Sequence, residues 1–224
     1  PFFHSDDWYH LNVVQIHTIQ EFLNFFNPWP NPQHISFFRP VSTQLFFFVF
    51  YTLFGLWAAP YFFFLLALQG SSAWLLYHII KKLKFSFRVG LVSVIIYSFS
   101  HIHFSQLYLL SAGQEIFMVN FFLVGIWAYL SPHPRTKWLG MSVAFILALL
   151  SKETAIIFPG VIGLLDLARS KKIPLQTIGI LGVIAVSYLI LRVGVFGFTH
   201  TIQAESSLSY ALSFSPRQTL NTLY

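Results

Sequence analysis

Two pairs of adjacent charged residues stand out in this apolar chain, and both could do chemistry. Lys152 and Glu153 lie between two apolar stretches, 138–150 and 155–167. A charged pair inside an apolar stretch is costly in lipid, so it indicates a functional site. The second pair is Asp6 and Asp7. A positioned aspartate can accept a proton, and a lysine beside a glutamate can hold an anionic group.

Composition identifies the class of protein that must position these pairs. Of the 224 residues, 56% are hydrophobic and 9% are charged, whereas soluble domains carry about 25% charged residues. We therefore expect an integral membrane protein made of helices. The apolar runs are continuous, as in 121–127, and do not alternate as barrel strands do. The absence of cysteine excludes disulfides and thiolate chemistry.

The first part of the chain differs from the rest. Residues 1–40 are polar and aromatic, with prolines at 28, 30, 32 and 40, which predicts an external loop with short helical pieces and the acidic motif. Residues 41–58 are predicted to contain a helix that starts after Pro40 and ends at Gly55. Fifteen helical residues measure about 22 Å, less than the membrane core of about 30 Å. We therefore expect this helix to lie along the membrane surface.

Residues 59–195 predict an all-α, polytopic bundle of about six membrane spans, and residues 196–224 predict a further external loop. The sequence begins with proline, and no membrane helix precedes the acidic pair. We therefore expect a fragment of a longer multi-span protein. The six predicted spans are 60–80, 89–106, 114–131, 138–150, 154–168 and 174–194.

The distribution of charge supports this count. Nine of the thirteen lysines and arginines fall in alternate connections, which the positive-inside rule assigns to the cytoplasm. Six of the seven acids fall on the opposite side. Both ends then face outward, which requires an even number of spans. The net charge of +6 thus predicts contact with anionic lipid, and no basic stripe predicts nucleic-acid binding.

The two spans that flank the charged pair are unusually short. A helix of thirteen residues rises about 20 Å, so residues 151–153, which connect the two spans, should lie below the outer membrane surface. Charge at that depth must line a water-filled cavity or meet a polar partner.

Six short motifs follow one another along the chain: Asp6-Asp7-Trp8, Phe38-Arg39-Pro40, Leu53-Phe54-Gly55, Leu150-Ser151-Lys152-Glu153-Thr154-Ala155, Phe158-Pro159 and Leu165-Asp166. Together they resemble membrane glycosyltransferases of the GT-C superfamily, in particular its protein O-mannosyltransferase-like branch and the transmembrane proteins that join such a domain to tetratricopeptide repeats. The resemblance implies a glycosyltransferase that moves a sugar from a polyprenyl-phosphate donor to a protein, lipid or glycan acceptor. It implies a plasma membrane of bacteria or archaea, or an endoplasmic reticulum membrane, with the site on the outer or lumenal side.

The resemblance also implies roles for individual residues. Asp6 is the general base, and Asp7 orients Asp6 or the acceptor. Arg39 and Lys152 bind the phosphate of the carrier, and Glu153 holds Lys152 or reaches the sugar. Alternative interpretations remain: the acids could be a solvated pair or a helix cap, Arg39 a snorkelling side chain, and Lys152–Glu153 an internal ion pair.

Glu115, His101 and His103 are further candidates for the site. Glu115 opens a span on the outer side, where relatives carry an acid after a basic residue, but here Gln114 precedes it. It could bind sugar or phosphate. His101 and His103 point to different faces of a helix, so packing or acceptor contact is favoured over metal binding. The sequence requires no cofactor, although a divalent metal is compatible with the family.

A transporter or lipid-binding membrane protein with a charged intramembrane site is the alternative function, since transporters also use broken helices. Transporters commonly contain repeated halves, and no internal repeat is apparent here. A transferase should bring Asp6, Arg39 and Lys152 to one external cavity.

Overall fold

The fold is described from a computed structural model, which covers residues 2–4, 6–29, 31, 38–170 and 174–207. For residues 170 and 195–207 the description is limited to the backbone. Every regular element in these ranges is helical, in agreement with the predicted all-α class. The helices are α1 Asp6–Val13, α2 Ile19–Asn24, α3 Phe46–Phe54, α4 Ala59–Lys82, α5 Phe87–Ser98, α6 His103–Tyr108, α7 Gln114–Tyr129, α8 Met141–Leu149, α9 Phe158–Ser170 and α10 Leu175–Ser207.

Short helices form the first segment, as the sequence predicts. Asp6 and Asp7 occupy the first turn of α1, where carboxylates favour the positive end of the helix dipole. Helix α2 begins with a capping box, in which Thr18 accepts a hydrogen bond from the Glu21 amide and the Glu21 side chain binds the Thr18 amide. Local sequence therefore explains both helix starts.

The segment after Pro40 begins with a π-helical turn, Val41–Leu45, and continues as α3. Its Leu45 amide bonds the Pro40 carbonyl at 2.8 Å, and Thr43 Oγ1 donates to the Arg39 carbonyl at 2.6 Å. Gly55 ends α3 with a positive φ of 57°, which glycine adopts without steric cost.

The long helices alternate in direction. We call residues 150–153, between α8 and α9, the joint, and the end of the bundle that contains it the joint end. There Lys152 contacts Glu115 at the start of α7. Arg192, in the middle of α10, lies 3.6 Å from Glu153 through its Nη2 atom. Helices α7 and α9 therefore start near the end of α8 and beside the middle of α10.

The opposite end of the bundle carries lysines. Lys82 ends α4 and lies 4.5 Å from the centre of the Trp127 ring in α7. Tyr129, at the end of α7, donates to Asp166 of α9 at 2.5 Å, and Lys137 lies over the Tyr129 ring. Helices α4, α7 and α9 thus run in one direction, while α8 starts at this end.

Three helical segments are long and apolar enough to cross a membrane: Ala59–Lys82, Leu110–Tyr129 and Leu175–Gly194. Their outward faces carry large apolar side chains, such as Phe63, Val183 and Ile190, each at least 68% exposed. Such surface is unfavourable in water and suits contact with lipid. The structure therefore indicates a membrane protein with three candidate spans in the described residues.

The other three predicted spans are not among these candidates: one is interrupted, and the two beside the joint are short, as the sequence predicted. The span predicted at 89–106 ends at Ser98 and resumes as α6, because residues 99–102 leave the helical path. The span predicted at 138–150 is Thr136–Leu149 including its first π-helical turn, or about 21 Å. The span predicted at 154–168 starts with a 3₁₀ turn, Glu153–Ile157, before α9. None of these three meets the length expected of a span.

The loop predicted from residue 196 is also different, because α10 continues to Ser207. Residues 175–207 contain no proline, and Gln203, Ala204 and Glu205 have high helix propensity. The rest of that prediction, residues 208–224, lies outside the described residues.

Two apolar clusters hold the helices together. At the joint end, Phe47 and Leu11 pack the first segment onto α3, α4 and α7. In the other cluster, the fully buried Phe158 contacts the rings of Phe122 and Phe145. A Cβ at Gly125 would lie 2.7 Å from the Phe158 ring, so this glycine permits the close approach of α7 and α9.

Candidate functional site

A cavity of about 590 Å³ lies at the joint end of the bundle. It brings together three side chains that are distant in sequence and that the sequence analysis singled out: Asp6, Arg39 and Lys152. Glu115 also lines it. The remaining lining residues are Tyr9, His10, Thr43, Ile102, Ser105, Gln106, Leu109, Ser111, Ala112 and Gln114.

Arg39 is held in a fixed orientation at the cavity wall. Its Nε donates to Glu153 Oε2 at 2.8 Å, and its Nη2 donates to Glu153 Oε1 at 2.6 Å. Its Nη1 donates to the side-chain oxygen of Gln114. A guanidinium bound in this bidentate way has a defined direction, so its position does not depend on a ligand. The predicted snorkelling of Arg39 to bulk headgroups does not describe this geometry.

Glu153 is an ionised residue of the joint whose carboxylate is held in place by its partners. The two hydrogen bonds from Arg39 and the nearby charge of Arg192 stabilise its ionised carboxylate. The carboxylate therefore stays ionised and stabilises Arg39. The structure does not bring Glu153 to Lys152, which was one of its two predicted roles; Lys152 binds Glu115 instead.

Lys152 and Glu115 form a second ion pair across the cavity wall. Glu115 belongs to the first turn of α7, whereas Lys152 belongs to the joint. The side chain of Lys152 is 21% exposed and that of Glu115 is 30% exposed, so both remain accessible from the cavity. Two ion pairs, rather than one internal Lys152–Glu153 pair, thus satisfy the charged joint.

Backbone contacts fix the joint against the segment that carries Arg39. The Val41 amide donates to the Leu150 carbonyl at 3.3 Å, and Ser42 Oγ donates to the Ser151 carbonyl at 2.7 Å. Ser151 is fully buried, and its own hydroxyl bonds the Leu147 carbonyl. The joint therefore meets polar partners and borders a cavity, as its composition predicted.

The two adjacent aspartates point to different places. Asp6 is exposed and lines the cavity. Asp7 is fully buried, and its two carboxylate oxygens accept hydrogen bonds from the His4 amide at 3.0 Å and the Ser111 amide at 2.7 Å. Asp7 therefore ties α1 to the turn before α7. Its predicted role beside Asp6 or the acceptor receives no support from this position.

His10 is a cavity residue that the sequence analysis did not propose for the site. It is 94% buried, lies one turn after Asp6 on α1, and stacks on Phe47 with ring centres 4.9 Å apart. Burial lowers its pKa to about 4, with the Asp7 and Asp6 charges opposing this shift and the Arg39 charge adding to it. The imidazole is therefore neutral at pH 7.

We expect this buried imidazole to make stability depend on pH. An unfolded histidine binds a proton near pH 6.5, whereas folded His10 does so near pH 4, so stability falls as pH decreases through this window. The expected loss between pH 7 and pH 5 is about 2 kcal/mol. Thermal melts of the full-length protein at both pH values should show a smaller decrease for His10→Gln. The exposed His17 offers a matched variant, His17→Gln, which should behave as the wild type does; equal pH dependence of all three proteins would contradict this expectation.

Three other histidines of the described residues make local contacts. His103 is buried, with its Nδ1 atom 2.9 Å from Gln106 Oε1, and His101 stacks on Phe104. His4 stacks on Tyr108. Among the residues described, no three histidine or carboxylate side chains converge as metal ligands. The site contacts made by His103 are those of packing, which the sequence analysis favoured.

Gln114 and Arg192 belong to the site but were missed from sequence. Gln114 accepts a hydrogen bond from Arg39 and donates to the Ser111 carbonyl at 2.7 Å. Arg192 supports Glu153 from α10. The signal for Arg192 was its position near the end of the predicted span 174–194, where an isolated charge needs a partner. Gln114 gave no comparable signal.

Comparisons of the chain with protein-family models, with curated proteins and with solved structures found no match.

Proposed function

We propose that this chain is part of a membrane glycosyltransferase that uses a polyprenyl-phosphate-linked sugar as donor. The observation that carries the proposal is that Asp6, Arg39 and Lys152 line a single cavity. Such a site combines a carboxylate that can take a proton with two cations that can bind a phosphate. The resemblance of the motifs around these residues to GT-C glycosyltransferases supports the same assignment.

The proposed reaction needs one base and a stabilised leaving group. The acceptor hydroxyl oxygen attacks the anomeric carbon of the sugar and forms the new glycosidic bond, while its proton passes to the Asp6 carboxylate. The bond from the anomeric carbon to the phosphate oxygen breaks, and the polyprenyl phosphate leaves with the electron pair. Lys152 and Arg39 stabilise the negative charge that develops on this phosphate. No metal is assigned a step, and the acceptor is a protein, lipid or glycan hydroxyl.

The proposal includes the membrane arrangement. Six helices, α4, α5, α7, α8, α9 and α10, would cross or enter the membrane, with the lysine-bearing end at the cytoplasm. The cavity would then open on the extracytoplasmic side, just below the outer surface, where a lipid-linked donor presents its headgroup. Helix α3 would lie along the membrane surface. The alternating directions of these helices and the three candidate spans are compatible with this arrangement.

Sugar transfer by the full-length protein tests the proposal. Proteoliposomes would receive a panel of radiolabelled polyprenyl-phosphate sugars with a peptide and a glycan acceptor. The wild type should transfer at least one sugar. Lys152→Met should lower kcat/KM about 10²-fold, the scale for losing one group that stabilises developing charge.

Lys81→Met is the matched control, because Lys81 is exposed at the opposite end of α4 and should leave transfer unchanged. Absence of transfer with every donor and acceptor would contradict the proposed function. Movement of the intact lipid-linked sugar across the membrane without transfer would favour the transporter alternative instead.

A further inference from the structure

The two carboxylates that hold the cavity cations are bound unequally. Glu153 accepts two hydrogen bonds from Arg39 and is approached by Arg192 at 3.6 Å. Glu115 has one ion-pair partner in the described residues, Lys152. The two side chains are similarly exposed, 30% for Glu115 and 26% for Glu153, so the number of contacts is what distinguishes them. Glu153 is therefore fixed, whereas the contact of Glu115 can be given up at lower cost.

The Lys152–Glu115 contact lies where an anionic ligand would bind. Both residues line the cavity, and both therefore face the space available to a ligand. An ammonium group binds a carboxylate and a phosphate oxygen by the same charge-assisted hydrogen bond. A phosphate group that reaches Lys152 must consequently compete with the Glu115 carboxylate, which also repels its charge.

We propose that Glu115 holds the place of the substrate phosphate on Lys152 and is displaced when that phosphate binds. This inference rests on the phosphate-binding role given to Lys152 in the proposed function. It assigns Glu115 an affinity-setting role, which differs from direct binding of the phosphate. The resident carboxylate keeps Lys152 extended towards the cavity in the absence of substrate and lowers the affinity for every phosphate-bearing ligand, product carrier included.

The arrangement at the start of α7 supports an exchange without movement of the helix. Gln114 bonds Arg39 on one side, while Glu115 reaches Lys152 on the other. Gly113 packs so closely against Leu65 that a Cβ there would lie 2.8 Å from Leu65 Cδ1, which fixes the backbone of this turn. Displacement therefore requires only a change of side-chain rotamer at Glu115.

Ligand binding by the full-length protein in neutral-lipid nanodiscs tests this inference. The probe is a short, soluble prenyl monophosphate, titrated by calorimetry. Removal of the competing charge in Glu115→Gln should tighten binding about 3- to 10-fold relative to the wild type. Glu115→Ala, which removes the same charge by another route, should shift the affinity in the same direction. Glu21, which belongs to the capping box of α2 and does not line the cavity, gives the control Glu21→Gln, whose affinity should equal that of the wild type.

A double-mutant cycle separates displacement from general repulsion. Lys152→Met should weaken binding, and adding Glu115→Gln to Lys152→Met should give a smaller gain than Glu115→Gln gives in the wild type, because only the repulsion is then removed and the exchanged contact is absent. An equal gain with and without Lys152 would overturn the inference, as would equal or weaker binding by both Glu115 variants.

The source of the phosphate is distinguished by two further arms. Inorganic phosphate tests the group alone, and nanodiscs that contain phosphatidylglycerol test competition by bulk lipid headgroups. Tighter binding of either probe in Glu115→Gln supports displacement and identifies that source. These binding results do not depend on catalysis: displacement without sugar transfer would remove the proposed function, and transfer with unchanged affinity in Glu115→Gln would remove this inference.

Discussion

Replacing Asp6 with asparagine should lower kcat for sugar transfer by about 10²- to 10⁴-fold, the usual contribution of a general base. Asparagine has nearly the same shape but does not accept the proton of the acceptor hydroxyl at neutral pH. Asp6 is exposed on the cavity wall, so the substitution should not lower the melting temperature. Initial rates at saturating donor, measured in proteoliposomes with the full-length protein, would give the loss in kcat.

Glu21→Gln provides the comparison for this experiment. Glu21 is an acid of the same segment, but it binds the amides of His17 and Thr18 at the start of α2 rather than lining the cavity. Its kcat should remain at the wild-type value. Unchanged turnover in Asp6→Asn would exclude Asp6 as the base and would require another proton acceptor.

Replacing Phe158 with alanine should lower the free energy of unfolding by about 3 kcal/mol. The ring is fully buried, and its centre lies 4.7 Å from the ring centre of Phe122 and 5.2 Å from that of Phe145. Its removal therefore leaves a cavity among α7, α8 and α9. We choose the lower end of the range for Phe→Ala because lipid, unlike water, gives little driving force for burying a ring. Denaturant titration of the full-length protein in detergent would measure the loss.

Leu164→Ala is the control on the same helix. Leu164 is 67% exposed, and its outward side chain loses few packing contacts when shortened. The substitution should change the free energy of unfolding by less than about 0.5 kcal/mol. Equal losses for the two variants would show that Phe158 does not anchor α9 as the structure indicates.

The helical class could be predicted from sequence because continuous apolar runs leave few alternatives in a membrane. The break between α5 and α6 could not, because Phe99 and Ile102 extend the apolar pattern across it. Hydropathy describes where a chain is apolar, whereas the position of a helix end depends on local backbone bonds. The short α5 therefore appeared in the sequence analysis as part of a longer predicted span.

The candidate site could be predicted in part. The joint needed polar partners, but their identity depended on packing: Arg39 lies 114 residues from Glu153, and Glu115 lies 37 residues from Lys152. The difference between Asp6 and Asp7 has a simpler reason. Adjacent residues on a helix point in different directions, and here the Asp7 carboxylate is bound by the amides of His4 and Ser111 while Asp6 lines the cavity.

The contacts between the joint and residues 39–42 have a consequence for motion. Two hydrogen bonds from Val41 and Ser42 and two from Arg39 connect residues 39–42 to the joint. The two segments should therefore move as one rigid body. Helix α7 meets that body at the cavity through the side chains of Gln114 and Glu115. If the bundle widens to admit a bulky headgroup, the contacts between α7 and this rigid body should break first. The distance between Arg39 and Glu153 should stay the same.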